Sequence, residues 1–271
     1  MTPRTRITEA RVAQLEEELA PRDLALVETL DRVRLATTAQ LERLHFTDGT
    51  SLANARQCRR TLARLISLHV LTRLDRRVGG VRAGSAGHIY ALDIAGQRLA
   101  SACGPAGGIR IRRPWTPSSP FVRHALAVTE LYIQLREAEQ ANSLDILDFW
   151  AEPLCWRRFT GIGGGQVALK PDAFVRVGLG KYEHASFVEV DRATQSGPTI
   201  ARKLTLYRRY WQTGKEQERL GVFPKVVVLV PSEARKEVLV EVCGAQPAEA
   251  WPLFQVARYE HGLDVLTGRT P

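Results

Sequence analysis

The chain has few cysteines, only four in 271 residues, and they are far apart. None belongs to a Cys-x-x-Cys pair, and none has a histidine at the spacing of a zinc site. A disulfide framework and a zinc knuckle are therefore both disfavoured. We expect the protein to work in a reducing compartment, the cytoplasm.

Long hydrophobic runs are also missing. The sequence contains no apolar stretch of about 18 residues, the length that a membrane-spanning helix needs. The N-terminus lacks the apolar core of a signal peptide. We expect an intracellular protein with no membrane partner.

Lysine is absent from the first 115 residues, which hold 19 arginines against 11 acidic residues. The remaining residues hold 19 bases against 18 acids, so almost all of the formal net charge of +9 belongs to the first part. Within residues 51–82, eight arginines accompany Asp75 as the single acid. Positive charge of this density favours a phosphate backbone as partner, and we predict that the partner is DNA.

The apolar periodicity of this basic part predicts three helices. The first follows Pro21, the second begins after a hydroxyl cap at Thr37-Thr38, and the third is capped by a turn at residues 48–51 and ends near His69. This spacing is typical of a helix-turn-helix, whose last helix enters the major groove of DNA.

A wing is predicted after the third helix. Residues 70–74 and 88–92 have the composition of strands, and the segment between them is rich in glycine and arginine. We expect polar and basic side chains of the third helix and of the wing to contact bases and phosphates. The candidate DNA-binding residues are Ser51, Asn54, Arg56, Gln57, Arg59, Arg60, Arg64, Arg73, Arg76, Arg77 and Arg82. An ordinary solvated surface or a dimerisation module is the alternative, but such surfaces usually mix both signs of charge.

A stretch rich in glycine and proline separates two predicted domains. We place a winged-helix domain at residues 1–103, a linker at 104–120 and a second domain at 121–271. The predicted elements of the second domain are a helix from Phe121, strands at 146–159, 167–177 and 185–190, a helix at about 198–213, a buried strand at 226–230 and a further helix capped by Ser232. This order predicts a mixed α/β domain, so the chain as a whole is expected to be α/β of the α+β type.

Acidic residues lie at the ends of two neighbouring predicted strands. Asp172 belongs to Lys170-Pro171-Asp172-Ala173, near the start of one strand, and Glu189 lies at the end of the next, with Asp191 two residues later on the same face. Carboxylates at adjacent strand ends can share Mg²⁺ or Mn²⁺, and such an ion activates water towards a phosphodiester. Two alternatives are turn chemistry at Asp172 and an ion pair between Asp191 and Arg192.

These residues resemble the PD-(D/E)xK nuclease superfamily, which has this strand and helix order, an Asp after proline, and an acid-x-Lys triplet on the next strand. Asp191 stands in the place of that lysine. The resemblance implies a restriction-endonuclease-like domain in which Asp172 and Glu189 bind the metal, Asp191 assists, and Lys203 brings an ammonium from the following helix. Glu130 stands where many such enzymes carry an additional acid.

Over about residues 20–230, the chain resembles the replication-relaxation family. The motifs that carry this resemblance are Ile89-Tyr90-Ala91-Leu92-Asp93-x-x-Gly96, Arg123-His124-Ala125-Leu126-Ala127-Val128, Pro171-Asp172, Glu189-Val190-Asp191-Arg192 and Lys203-Leu204-x-x-Tyr207. That family is associated with plasmid replication, DNA relaxation and mobilisation. The resemblance implies a DNA transaction of a mobile element.

Two functions have support in the sequence; a third, a transcription factor with a small-molecule sensor domain, has none. In the first, the winged helix places a Mg²⁺- or Mn²⁺-dependent DNA endonuclease or nickase on its target. In the second, the protein is a non-enzymatic DNA-binding regulator or accessory factor, and its nuclease-like domain is an inactive module that contacts a relaxase or a replication protein. Asp191 in place of lysine favours the second function. A homodimer on two half-sites is compatible with both.

Overall fold

The computed structural model describes residues 7–77, 87–103, 117–161 and 163–269. It is mixed α/β, which confirms the predicted fold class. The chain divides into two compact units, Met1–Ile133 and Gln134–Pro271. Residues 78–86 of the predicted wing and residues 104–116 of the predicted linker lie outside the described residues.

The first unit begins with four helices. They are α1 (Glu9–Glu18), α2 (Pro21–Val33), α3 (Thr38–His45) and α4 (Ser51–Ser67). Thr37 and Thr50 cap α3 and α4, because each hydroxyl accepts the backbone N–H three residues further on, at 3.2 and 3.4 Å. The three predicted helices of the basic part are therefore confirmed, and their caps lie within the predicted segments 37–38 and 48–51.

The first unit also contains a small antiparallel sheet, whose first strand lies between α2 and α3. The sheet consists of β1 (Ala36–Thr37), β2 (Leu71–Arg77) and β3 (His88–Leu92), in the order β1-β3-β2. Helix α5 (Ile94–Cys103) returns over β2 so closely that a Cβ atom on Gly96 would lie 2.2 Å from the carbonyl oxygen of Val70. A glycine is required at this contact, which accounts physically for Gly96 in the sequence pattern.

Helix α6 (Ser119–Gln140) contains the boundary between the two units. Its first half belongs to the first unit, where Val122 and Leu126 pack against Leu35 and Ile89. The Thr129 hydroxyl also donates to the carbonyl oxygen of Leu35 at 2.6 Å. The sequence predicts this helix, but not its packing on the first unit.

The second unit is built on a five-stranded sheet with the order β10-β9-β8-β7-β4. Its strands are β4 (Asp145–Ala151), β7 (Ala173–Leu179), β8 (Tyr182–Val190), β9 (Lys225–Val230) and β10 (Phe254–Arg258), and β5 (Arg157–Thr160) pairs with β6 (Gln166–Leu169) in a separate hairpin. Strands β4, β7 and β8 are antiparallel, whereas β8, β9 and β10 are parallel. The apolar run Val226–Val230 is buried between two partners, as predicted.

Two of the predicted strands are each divided in the structure. The segment 146–159 becomes β4 and β5 with Pro153 between them, and the segment 167–177 becomes β6 and β7 with Pro171 between them. Proline lacks the N–H that a sheet ladder needs, so a single continuous strand through either position is disfavoured. The sequence prediction of two uninterrupted strands was wrong for this reason.

Helices complete the second unit. They are α7 (Gly197–Trp211), α8 (Lys215–Leu220), α9 (Glu233–Gly244) and α10 (Gly262–Leu266). Ser232 caps α9 by accepting the N–H of Arg235 at 3.3 Å, as predicted. Across the described parts of the chain, no helix combines the length and the apolar character that crossing a membrane requires.

Candidate functional site

The antiparallel pairing of β7 and β8 brings Asp172 and Glu189 together. Ala173 pairs with Val188, so the residue before β7 meets the last residues of β8. Asp172 is held there twice: its backbone N–H donates to the Val188 carbonyl oxygen at 3.1 Å, and its Oδ2 accepts the N–H of Val190 at 2.7 Å. The two carboxylates thus converge at one end of the sheet.

Helix α7 contributes two side chains to the same cluster. Lys203 makes a close ion pair with Oε2 of Glu189, and its Nζ lies 4.0 Å from Oδ1 of Asp172. The Tyr207 hydroxyl donates to Oε1 of Glu189 at 2.5 Å. Residues four apart share one side of a helix, so Lys203 and Tyr207 reach the same carboxylate. We call these four residues the carboxylate cluster.

The carboxylate cluster is largely buried. The side chains of Glu189, Asp172 and Lys203 are 10%, 13% and 26% exposed, so Lys203 is the member most open to solvent. Burial raises the pKa of Glu189 to about 7, although the neighbouring Lys203 ammonium opposes that rise. Burial by itself would lower the pKa of Lys203, but the two carboxylates more than compensate and raise it. Burial and then Glu189 raise the pKa of Tyr207, which therefore stays a protonated donor.

Asp191 has a different set of partners. Its Oδ2 and Oδ1 accept from Nε and Nη2 of Arg235, on α9, at 2.6 and 3.2 Å. Its backbone carbonyl accepts from the Tyr259 hydroxyl. The Asp191 carboxylate is buried and bound in a forked ion pair, which raises the pKa of Arg235. The partner of Asp191 is thus Arg235, 44 residues away, rather than the adjacent Arg192.

Glu130 lies in the first unit. It accepts hydrogen bonds from Gln40 at 3.0 Å and from Arg43 at 2.7 Å, both on α3. These contacts fasten α6 to α3 and give the Glu130 carboxylate a role within that unit.

The candidate DNA-binding residues are distributed over α4 and β2. Ser51, Arg56, Gln57, Arg59 and Arg60 are exposed on α4, and Arg73 is exposed on β2. Arg64 forms an ion pair with the buried Asp23 at 2.5 Å, and Asn54 donates to the carbonyl oxygen of Gly49 at 3.0 Å. Arg82 and the side chains of Arg76 and Arg77 fall outside the described residues.

The opposite face of α4 is apolar. Cys58, Leu62 and Leu65 are buried in the core of the first unit. No acidic residue lies between Ser51 and Ser67, so the outer face of α4 carries charge of one sign. Such a face is complementary to a polyanion.

Two carboxylates of the carboxylate cluster face one cation. The Lys203 ammonium already lies as a cation against both Asp172 and Glu189, which shows that oxygens of both residues can face one positive charge. Among the described residues, no group of three or more His, Cys, Asp and Glu side chains forms a metal-ligand set. A metal at this position would therefore rest on two carboxylates together with backbone oxygens or water.

Tyr207 and Arg235 are the contributors that the sequence reasoning missed. The sequence favours a core or interface position for Tyr207, and the structure does bury it in a hydrophobic core cluster of the second unit. Its four-residue spacing from Lys203 was the signal that both side chains share one target. Arg235 had no comparable signal, because its partner lies 44 residues away.

A protein-family model described as replication-relaxation matches residues 27–226. The match extends from α2 to β9 and includes α4 and all four members of the carboxylate cluster. No curated protein and no solved structure matches the chain.

Proposed function

The chain belongs to the replication-relaxation family, and from this premise we propose that it is a DNA-binding protein of a plasmid or another mobile element that cuts or nicks DNA with a divalent cation. The observation that carries the proposal is the convergence of Asp172, Glu189 and Lys203 from β7, β8 and α7. Two acids and one lysine at the ends of adjacent strands form the residue set of a PD-(D/E)xK nuclease, although the lysine here comes from a helix.

DNA binding is assigned to the first unit. The capped helices α3 and α4, followed by the antiparallel β2 and β3, support a winged helix with α4 as its recognition helix. Exposed Arg56, Arg59 and Arg60 on α4 would contact phosphates or the edges of guanines. Arg73 on β2 would add a backbone contact at the base of the wing.

In the second unit, Asp172 and Glu189 would hold Mg²⁺ or Mn²⁺. The bound ion would supply an activated water and stabilise charge on the scissile phosphate. Tyr207 keeps one oxygen of Glu189 in place, and the N–H of Val190 does the same for Asp172. Lys203, the most exposed member of the carboxylate cluster, is positioned to donate to a phosphate oxygen. Asp191 supports the site through its ion pair with Arg235, which anchors the end of β8 to α9.

The test is cleavage of supercoiled plasmid in Mg²⁺, Mn²⁺ or EDTA, with a gel shift on the same samples. We expect Asp172→Asn and Glu189→Gln to lose metal-dependent nicking by at least a hundredfold and to keep the gel shift. Glu183→Gln is the matched control, because Glu183 lies on the same strand and is exposed. Wild-type protein that binds DNA but cuts in none of these conditions would refute the nuclease.

A non-enzymatic accessory factor is the second candidate, and one observation favours it. The position of the superfamily's lysine is occupied by Asp191, whose carboxylate is committed to Arg235, while Lys203 neutralises Glu189. An inactive module would retain these two ion pairs as well. Such a module would act by contacting a relaxase or a replication protein. The two candidates differ in their response to Mn²⁺, which stabilises a metal site against unfolding and leaves an interaction module unchanged.

A further inference from the structure

Leu52 is an exposed leucine in the first turn of α4. Its 72% exposure is the highest among the large hydrophobic side chains that the structure describes. Burying such a side chain is favourable, and folding of this chain leaves most of the Leu52 side chain in water. Contact with an apolar group of a partner would bury this side chain.

The neighbours of Leu52 restrict what that partner can be. Arg56, Arg59 and Arg60 are four, seven and eight residues further along α4, on the same side of the helix, and all three are exposed. A second copy of this face would bring arginines against arginines. The surface is instead complementary to a partner that combines dense negative charge with an apolar group.

Duplex DNA has this combination in its major groove. Phosphates line the groove, and the C5-methyl group of thymine is the apolar group that a base pair presents there. Leucine has no hydrogen-bonding group, so it can distinguish thymine only through this methyl group. We infer that Leu52 reads a thymine methyl group and is a specificity-determining residue of the chain; this rests on the proposed DNA binding by α4.

The spacing along α4 adds a second element to the recognised sequence. Side chains four apart on a helix are about 5–6 Å apart at Cβ, and base pairs stack about 3.4 Å apart. Leu52 and Arg56 would therefore meet base pairs one or two steps apart. Because arginine prefers the O6 and N7 atoms of guanine, we expect the preferred site to hold a thymine within two base pairs of a guanine.

The experiment begins with selection of binding sites from a random duplex library by the full-length wild-type protein. Each thymine of the selected site is then replaced in turn by deoxyuridine, which removes only the methyl group. We expect one replacement to weaken wild-type binding about fourfold, the effect of one buried methyl group. Leu52→Ala should bind the thymine site about as weakly as wild type binds the deoxyuridine site, and should not discriminate between the two. Leu154→Ala, at another exposed leucine in the second unit, should behave as wild type.

Two results overturn the inference while DNA binding stands. One is an equal effect of every deoxyuridine replacement on wild type and on Leu52→Ala. The other is a change of molar mass in light scattering on Leu52→Ala substitution, which would assign Leu52 to a contact between two copies. A wild-type protein that shifts no duplex would overturn the proposed DNA binding together with this inference, so the two failures are distinguishable. The melting temperature of Leu52→Ala should equal that of wild type, because the side chain is exposed.

Discussion

Glu189 has a buried carboxylate whose two oxygens have different partners. Oε2 contacts the Lys203 ammonium, and Oε1 accepts from Tyr207. Burial holds its pKa at about 7, so the group changes charge within the physiological pH range. A cation can bind only to the ionised form, which makes the proposed metal site sensitive to pH.

Removing the Tyr207 hydroxyl should move the pH dependence of the proposed metal site to higher pH. The hydrogen bond from Tyr207 favours the charged form of Glu189, so its loss raises the pKa of that group above about 7. We expect Tyr207→Phe to move the pH of half-maximal nicking up by about 0.5–1 unit and to lower the free energy of unfolding by about 1 kcal/mol. Tyr182→Phe, at an exposed tyrosine on the same strand as Glu189, should change neither quantity. An unchanged pH profile with lowered stability would make Tyr207 a structural residue only.

Lys203 should support catalysis but weaken metal binding. Its ammonium lies against the two carboxylates that would hold the metal, so the two cations compete for the same oxygens. Loss of the ammonium also raises the pKa of Glu189, so the comparison belongs at alkaline pH, where that carboxylate is ionised. There we expect Lys203→Met to lose nicking and yet to gain more thermal stability from Mn²⁺ than wild type does. The matched control is Lys181→Met, in the exposed turn before β8. Weaker stabilisation by Mn²⁺ in Lys203→Met than in wild type would argue against this competition.

At the scale of elements, the ends of strands and helices determine which side chains meet. Pro171 ends β6, and the following Asp172 lies at the start of β7 beside the end of β8. Helix α7 is oriented so that Lys203 and Tyr207 face that end, and α9 places Arg235 against Asp191. Each acid at the end of β8 is thereby paired with a cation from a different helix.

The link between the end of β8 and α9 can be measured with a double-mutant cycle on Asp191 and Arg235. Asp191→Asn leaves a largely buried guanidinium without its carboxylate, so we expect a loss of about 2–4 kcal/mol in the free energy of unfolding. The double variant Asp191→Asn with Arg235→Gln should be more stable than Asp191→Asn alone. If Asp191 also bound the metal directly, the double variant would regain stability but not nicking.

At the scale of the whole molecule, the charge is concentrated in one part of the chain. The first 115 residues hold almost all of the net positive charge, and the outer face of α4 displays Arg56, Arg59 and Arg60. The family match covers parts of both units.

This charge distribution predicts steep salt dependence of DNA binding. Each phosphate that an arginine neutralises contributes about −0.9 to the slope of log K against log salt concentration. We expect the combined substitution of Arg56, Arg59 and Arg60 by alanine to reduce the magnitude of that slope by up to about 2.7. Arg11→Ala is the control, since Arg11 already pairs with Glu18 within α1. A shallow wild-type slope would count against the whole DNA-binding proposal.

The sequence by itself determined the features that depend on neighbouring residues. Helix caps at Thr37, Thr50 and Ser232, the buried strand at Val226–Val230 and the mixed α/β class follow from short-range patterns and are present in the structure. The sequence also singled out Asp172, Glu189 and Lys203, which the structure brings together. Local propensity and periodicity are sufficient for such features, because they act within a few residues.

Only the tertiary structure determined which partners the acidic side chains at the end of β8 bind. Glu189 contacts Lys203 and Tyr207, which are 14 and 18 residues away along the chain. Asp191 contacts Arg235, which is 44 residues away. The sequence had grouped Asp191 with Glu189, because alternate residues of a strand share a face. The rule applies only within a strand, and β8 ends at Val190. The partner of each acid at this end of β8 depends on how α7 and α9 pack against the sheet. The spacing of Lys203 and Tyr207 indicated a shared target. Packing of distant elements is a property of the whole fold, so no local pattern could have paired Arg235 with Asp191.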